Sequence, residues 1–277
     1  MPRTWFITGC ATGFGRALAE AALAHGDQVA VTDRDRQAVV SMEHRFPERA
    51  LALGVDVTDP QQVRAGLAAC IAAFGRVDVL VNNAGFAVQA AVEEADISAV
   101  RAMFDVNLFG MLDVIRTALP HLRAQGAGHI INFASVGGRV SGPVMALYCA
   151  SKFAVEGLGE GLAAELAPHG IRLTTIEPGA FATRFGASAV GPVTALDAYA
   201  PLHDAMAGHL ANLPQGDPAD LALAILELAA CDQPPLRFVA GQDARLMIEA
   251  SLAAQQNEIA RWQDLTDRAN GAARQAG

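Results

Sequence analysis

Residues Arg3–Gly15 read RTWFITGCATGFG, and an Ala-rich run follows that ends before Gly26. Arg3–Thr8 is short and apolar enough for a buried strand, and the run to about Ala24 has the composition of a helix. Between them Thr8, Gly9, Thr12, Gly13, Phe14 and Gly15 form a turn of the pattern TGxxxGxG rather than GxGxxG. A strand, a glycine loop and a helix in this order let backbone approach a pyrophosphate, whose charge then rests on the helix N-terminus. Gln28–Thr32 reads as a second strand ending at Asp33. A carboxylate there accepts hydrogen bonds from ribose hydroxyls and repels a 2′-phosphate. Arg34 is the competing signal, since a guanidinium binds that phosphate. The residues favour NAD, with NADP the alternative. Arg16 reads as a structural residue of the first helical turn.

The second informative stretch is Ser135–Lys152, SVGGRVSGPVMALYCASK. If helix begins near Met145, Tyr148 and Lys152 project from one face, one turn apart. An ammonium beside a phenol favours the phenolate, which predicts a lowered Tyr148 pKa and a group able to exchange a proton with an alcohol or ketone. Ser135, at the end of the preceding strand, can hold the same substrate oxygen. A bare YxxxK pattern also describes a core ring beside a solvated amine. Cys149 points about 100° away from Tyr148 and reads as a small buried thiol.

The remaining chain alternates strands and helices. A third strand, Ala50–Val55, ends in Asp56-Val57, where Asp56 either meets an adenine amino group or opens the turn toward Asp59. A helix over Pro60–Phe74 leads to the strand Val77–Val81 and the turn Asn82-Asn83-Ala84-Gly85, small enough for backbone and cofactor to pass closely. Asn82 can alternatively tie neighbouring strands. A long helix from Ile97 toward Arg123 carries Asn107, a poor helix former that calls either for a kink with a bound water or for an exposed amide. His129–Ala134 is the fifth strand. The helix bearing Tyr148 continues to Ala167, and Ile171–Ile176 is the sixth strand, closed by Pro178-Gly179. Ala180 to about Pro214 is punctuated by glycine and proline and reads as an irregular apolar lid. A helix from Asp217 to Ala230, a seventh strand at Leu236–Ala240 and a terminal amphipathic helix over about 243–270 complete the 277 residues.

Composition bounds the function. Apolar residues make up 52% and aromatics 6%, which suits buried parallel strands under Ala-rich helices. The net charge of −9 disfavours nucleic acid and anionic membrane as partners. No uncharged apolar run reaches the ~18 residues of a membrane span, and the N-terminus reads as a strand rather than a signal peptide. Four scattered cysteines predict reduced thiols in a cytoplasmic protein. The seven histidines show no HxH or HExxH, so no metal is expected.

Taken in order, these motifs resemble the short-chain dehydrogenase/reductase family over roughly residues 1–185. TGCATGFG matches its glycine motif, Asp56-Val57 its adenine-pocket pair, NNAG its strand-four motif, and PGAFAT its PGxxxT pattern. Asn107, Ser135, Tyr148 and Lys152 match its catalytic tetrad. Glu177 departs from it, standing where many members have Asn. The resemblance implies a single doubly wound α/β Rossmann domain over 1–277, with a parallel seven-stranded sheet in the order 3-2-1-4-5-6-7 and helices on both faces. It implies an NAD(P)-dependent alcohol dehydrogenase or carbonyl reductase with Tyr148 as general acid/base and Ser135 orienting the substrate oxygen. Lys152 would lower the tyrosine pKa and hold the nicotinamide ribose. Asn107 would hold a water. Asn83, Ala84 and Gly85 would pass the cofactor, Gly179, with Pro178 and Phe181, would leave room for the nicotinamide ring, and Thr183 would bond its carboxamide. An apolar wall of Val136, Val140, Met145, Phe181 and Phe185 predicts a neutral hydrophobic secondary alcohol or ketone, with Arg184 facing solvent. Apolar helix faces predict a homodimer or homotetramer. An NAD(H)-sensing binding protein with little turnover is the alternative of another class.

Overall fold

The computed structural model describes residues 2–269; Met1 and positions 270–277, including the last residue of the expected terminal helix, lie outside them. Seven parallel strands form one sheet in the order β3-β2-β1-β4-β5-β6-β7. They are β1 Thr4–Ile7, β2 Gln28–Asp33, β3 Ala50–Gly54, β4 Val79–Asn82, β5 Gly128–Phe133, β6 Ile171–Pro178 and β7 Arg237–Ala240. This is the expected order. Alternate strand residues face opposite layers because strand side chains have a period of two. Trp5, Ile7, Val29, Val31, Val79 and Val81 pack under α1 (Gly13–His25) and α8 (Pro218–Ala230). Phe6, Ala30, Leu80 and Ile130 pack under α3 (Pro60–Phe74), α5 (Met111–Gln125) and α6 (Ala146–Leu166).

Local signals explain the helix ends. Asp59 accepts hydrogen bonds from the amides of Gln61 and Gln62, Pro60 opens α3, and Gly75 closes it at φ 82°. A short α2 (Val40–Arg45) between β2 and β3 was not expected.

Three expectations need correction. The expected helix from Ile97 to Arg123 is α4 (Ile97–Phe104), a π-helical turn over Asp105–Gly110, then α5. The π turn inserts an extra residue into the ladder and turns Asn107 inward, where it is 2% exposed. The segment after β6 is not irregular throughout. It contains α7 (Ala200–Asn212), started by Pro201 in its first turn and tolerant of Gly208 because the helix is rich in Ala, Leu and Met. The terminal helix is α9 (Gln242–Arg261), followed by a short α10 (Gln263–Ala269).

Candidate active site

A groove of about 970 Å³ runs along the carboxyl ends of the central strands. Twelve expected cofactor residues line it: Gly9, Thr12, Gly13, Phe14, Asp33, Arg34, Asp56, Val57, Asn83, Ala84, Gly85 and Thr183. Gly9 adopts φ 71°, and a Cβ there would stand 2.9 Å from the Ala84 backbone, so the turn and the close approach both require glycine. Thr12 makes no side-chain cap and α1 has no acidic residue in its first turn, leaving the first amides turned to the groove with positive partial charge. These features fit a pyrophosphate.

The other expected cofactor residues lie outside that lining, and the reasons differ. The Thr8 hydroxyl is committed to the fold, accepting from the amides of Asn83 and Ala84 at 3.0 and 3.1 Å and donating to the Val81 carbonyl. Gly15 serves packing, since a Cβ would collide with the Gly9 carbonyl and the Asn83 amide. Gly179 leaves room for a protein group: a Cβ there would strike the Asp243 carboxylate, which accepts from the Ala180 amide at 2.8 Å. Pro178 is a strand residue. Phe181 turns to Phe14, with ring centroids 5.1 Å apart, and to Gly216, so it is not part of the wall beside Tyr148. Asp56 holds its own turn, accepting from the Thr58 amide and hydroxyl, while still lining the groove.

Asn107, Ser135, Tyr148 and Lys152 come from three places in the chain, Tyr148 and Lys152 both from α6, and lie beside Gly85, which lines the groove. Asn107 accepts from the Phe86 amide at 3.0 Å and donates to the Phe86 carbonyl and to Ser151 Oγ; Ser151 in turn donates to the Tyr148 carbonyl. Ser151 was not singled out from the sequence, because nothing in a helical serine announces such a bridge. Lys152 Nζ donates to the Phe133 carbonyl at 2.8 Å and stands 5.9 Å from the Tyr148 ring centroid. Gly85 sits over this group, where a Cβ would lie 2.9 Å from Asn107 Oδ1 and 3.7 Å from Lys152 Nζ. Ser135 Oγ accepts from the Gly137 amide and, with the Tyr148 ring, lies within 3.5 Å of the point a Gly137 Cβ would occupy. Buried Val144, two residues before α6, has φ 56°, a left-handed conformation costly for a β-branched residue.

Electrostatics here differ from the expectation that Lys152 lowers the Tyr148 pKa. Burial raises the phenol well above its ordinary range, opposed by the Ser135 hydroxyl. Burial also lowers Lys152 to about 8, opposed by the charge of Glu156. Removing both groups from water outweighs their mutual attraction at this separation.

Met145 and Phe185 pack in the cluster around Tyr148, with the Phe185 ring centroid 5.6 Å from that of Tyr148. Arg184 is exposed. The segment carrying Phe185 is fastened at buried Glu94, which accepts from the Ala91 and Leu196 amides and meets His203 Nε2 at 2.6 Å. Leu196, His203 and Ala91 together hold the Glu94 carboxyl below the usual carboxylate range. Sequence reading had no signal for this anchor, because its partners are about 100 residues away.

Comparison with known proteins agrees with this geometry. Residues 3–191 match the family model described as short chain dehydrogenase. The chain belongs to the short-chain dehydrogenase family. The short-chain dehydrogenase of Streptomyces avermitilis superposes with a TM-score of 0.90 at 36% identity, covering 97% of this chain and 99% of the other. A short-chain dehydrogenase/reductase of Burkholderia phymatum, solved with NAD, gives 0.79 at 26% identity, covering 95% of each. An oxidoreductase of Botryotinia fuckeliana, BOA17, is 38% identical over 248 residues, which is 88% of this chain and 90% of the relative. A short chain dehydrogenase and a gluconate 5-dehydrogenase, both of Burkholderia cenocepacia, were solved with NADP. Among the described residues no helix is long and apolar enough to cross a membrane, and no three His, Cys, Asp or Glu side chains could hold a metal together.

Proposed function

We propose that this short-chain dehydrogenase interconverts a hydrophobic secondary alcohol and its ketone with NAD. The observation that carries the reading is the grouping of Ser135, Tyr148 and Lys152 beside the glycine-built groove, with Asn107 tied through Ser151 to the Tyr148 carbonyl. Bound NAD supplies the hydride chemistry at its nicotinamide ring. Tyr148 exchanges the proton with the substrate oxygen, Ser135 orients that oxygen, and Lys152 holds the nicotinamide ribose. A phenol kept neutral by its surroundings is in the state that donates to a ketone, so reduction has its acid ready at neutral pH.

Asp33 supports NAD. Its carboxylate reaches back to the loop, accepting from the Ala11 amide at 3.1 Å, and also accepts from the Asp35 amide. Both bonds fix a negative charge where a 2′-phosphate would have to sit. Arg34 is exposed at the groove edge and carries the NADP alternative.

Phe185 and Met145 support an apolar substrate, because burying apolar surface stabilises binding by roughly 25 cal/mol per Å². The segment over about 180–214 is the substrate lid. Exposed Phe109 and Phe153, on the π turn and α6, support a two-fold helix bundle between subunits. Light scattering at micromolar concentration checks this: a monomeric mass removes the bundle.

The deciding experiment follows reduced-cofactor absorbance with NAD and with NADP over a panel of bulky apolar alcohols, polyols and small hydroxy acids. The reading expects the highest kcat/KM for NAD with an apolar alcohol. A polar substrate winning would overturn the substrate class, and no turnover with any alcohol would favour an NAD-sensing role.

A further inference from the structure

Glu177, the residue that departs from the family pattern, is fully buried in β6. Glu156, one helical turn beyond Lys152, is 5% exposed. One guanidinium serves both: Arg237 Nε donates to Glu156 Oε2 at 3.0 Å and stands 3.8 Å from Glu177 Oε1. Glu177 Oε1 also accepts from Arg139 Nη1 at 2.9 Å. The remaining oxygens, Glu156 Oε1 and Glu177 Oε2, are buried with no hydrogen-bond partner. Two carboxylates buried from solvent, each with an orphaned oxygen, repel one another through the protein interior. A proton held between them removes one charge and gives an orphaned oxygen a hydrogen.

We propose that Glu156 and Glu177 hold one proton between them and act as a positioning pair behind Lys152 and the Ser135 turn. The connections run to both groups. Arg139 belongs to the turn that follows Ser135, and Gly138 of that turn is so close to α6 that a Cβ would lie 3.0 Å from both Glu156 Cγ and the Lys152 carbonyl. The charged groups facing the pair are Lys152 and Glu160 on α6, Arg139 on the turn and Arg237 on β7, while Asp243 on α9 is engaged with Ala180 at the end of β6. Burial, then the charge of Glu177, pushes Glu156 up to about 7, against the two arginines. A folded-state value raised above the ordinary 4.5 contributes stability that is complete below 4.5 and is lost as pH rises through about 7. Below about pH 7 the pair presents one negative charge toward Lys152 rather than two.

The inference rests on the proposed role of Lys152 only in its second arm. The first arm uses infrared difference spectra of the whole protein between pH 5.5 and 8.5. Wild type is expected to show a carboxylic-acid carbonyl band that disappears as pH rises through about 7, and Glu156→Gln and Glu177→Gln are each expected to lack it. A band surviving in either single variant means that one carboxyl keeps its proton unaided, and this outcome overturns sharing, as does a wild type with no band. Should Glu177→Gln fail to fold, Glu177→Asn takes its place. The second arm measures NADH affinity by fluorescence titration at pH 6, where the pair holds its proton. Each single variant leaves one carboxylate behind Lys152 and should change affinity less than about twofold. The double variant removes the last one and should weaken binding about 3- to 10-fold. An unchanged double variant overturns the positioning role. A wild type that binds no NADH overturns the proposed function, and the infrared arm still answers for the pair.

Discussion

Along the nucleotide groove, glycine and alanine at Gly9, Gly13, Ala84 and Gly85 bring backbone to the surface, with uncapped amides at the start of α1. Across from Tyr148 the surface is side chains, Phe185 and Met145, on a segment fastened by Glu94 and His203. The turns of the groove are specified locally, and at Gly9 and Gly85 a Cβ would crowd neighbouring atoms. The proposed lid is held by a few polar bonds to a distant carboxylate. Damage to the groove end should therefore cost cofactor binding or chemistry outright, while damage to the lid should cost substrate binding by degrees.

The sharpest test of that contrast is Tyr148→Phe, expected to lower turnover about 1000-fold while NADH affinity stays within about twofold, because the ring still packs but carries no proton. Steady-state kinetics beside fluorescence titration reads both. Retention of more than a few per cent of activity would move the proton transfer elsewhere. Gly15→Ala should cost about 100-fold in NADH affinity and destabilise the fold by about 1–3 kcal/mol, since the new methyl collides with the Gly9 carbonyl. Thermal unfolding and titration check the pair of effects, and normal binding would show that the groove is softer than described.

Asp33→Ala tests a part of the groove that relies on a side-chain charge. The ratio of kcat/KM for NADP over NAD should rise about 30-fold, with Arg34 free to meet the 2′-phosphate. A wild type already favouring NADP assigns the position to Arg34 instead. A smaller effect comes with pH. Lys152, lowered to about 8 by burial, loses its charge as pH rises through that value, so NADH affinity should fall about 3- to 10-fold from pH 7 to pH 9. Lys152→Met should abolish the pH dependence. Smallest is Glu94→Gln, where loss of the buried charge loosens the lid. KM for the apolar substrate should rise about fivefold with kcat and NADH affinity nearly constant, and limited proteolysis should cut within residues 190–212. Equal loss of kcat would mean that the lid belongs to the chemistry.

The groove was legible because its logic is local. TGCATGFG and NNAG specify turns within a few residues, and Asp33 follows at the end of the next strand. The lid was half legible: its apolar character showed in composition, but α7 did not, since Pro201 and Gly208 hide the helical run between them. Gly179 was misread because its neighbour in space, Asp243, is 64 positions further along.

The sequence by itself determined the alternation of strands and helices and the glycine turns of the groove, because these depend on periodicity and turn chemistry within single βα units, and the family resemblance carried by its motifs implied the strand order. Only the tertiary structure decided how the side chains beside the groove behave. Burial, which no spacing reveals, raises Tyr148 and lowers Lys152 against the expected pairing. Packing also places Glu156 and Glu177 on one arginine. Desolvation and charge proximity depend on what the whole fold brings into contact, and those contacts join residues tens of positions apart.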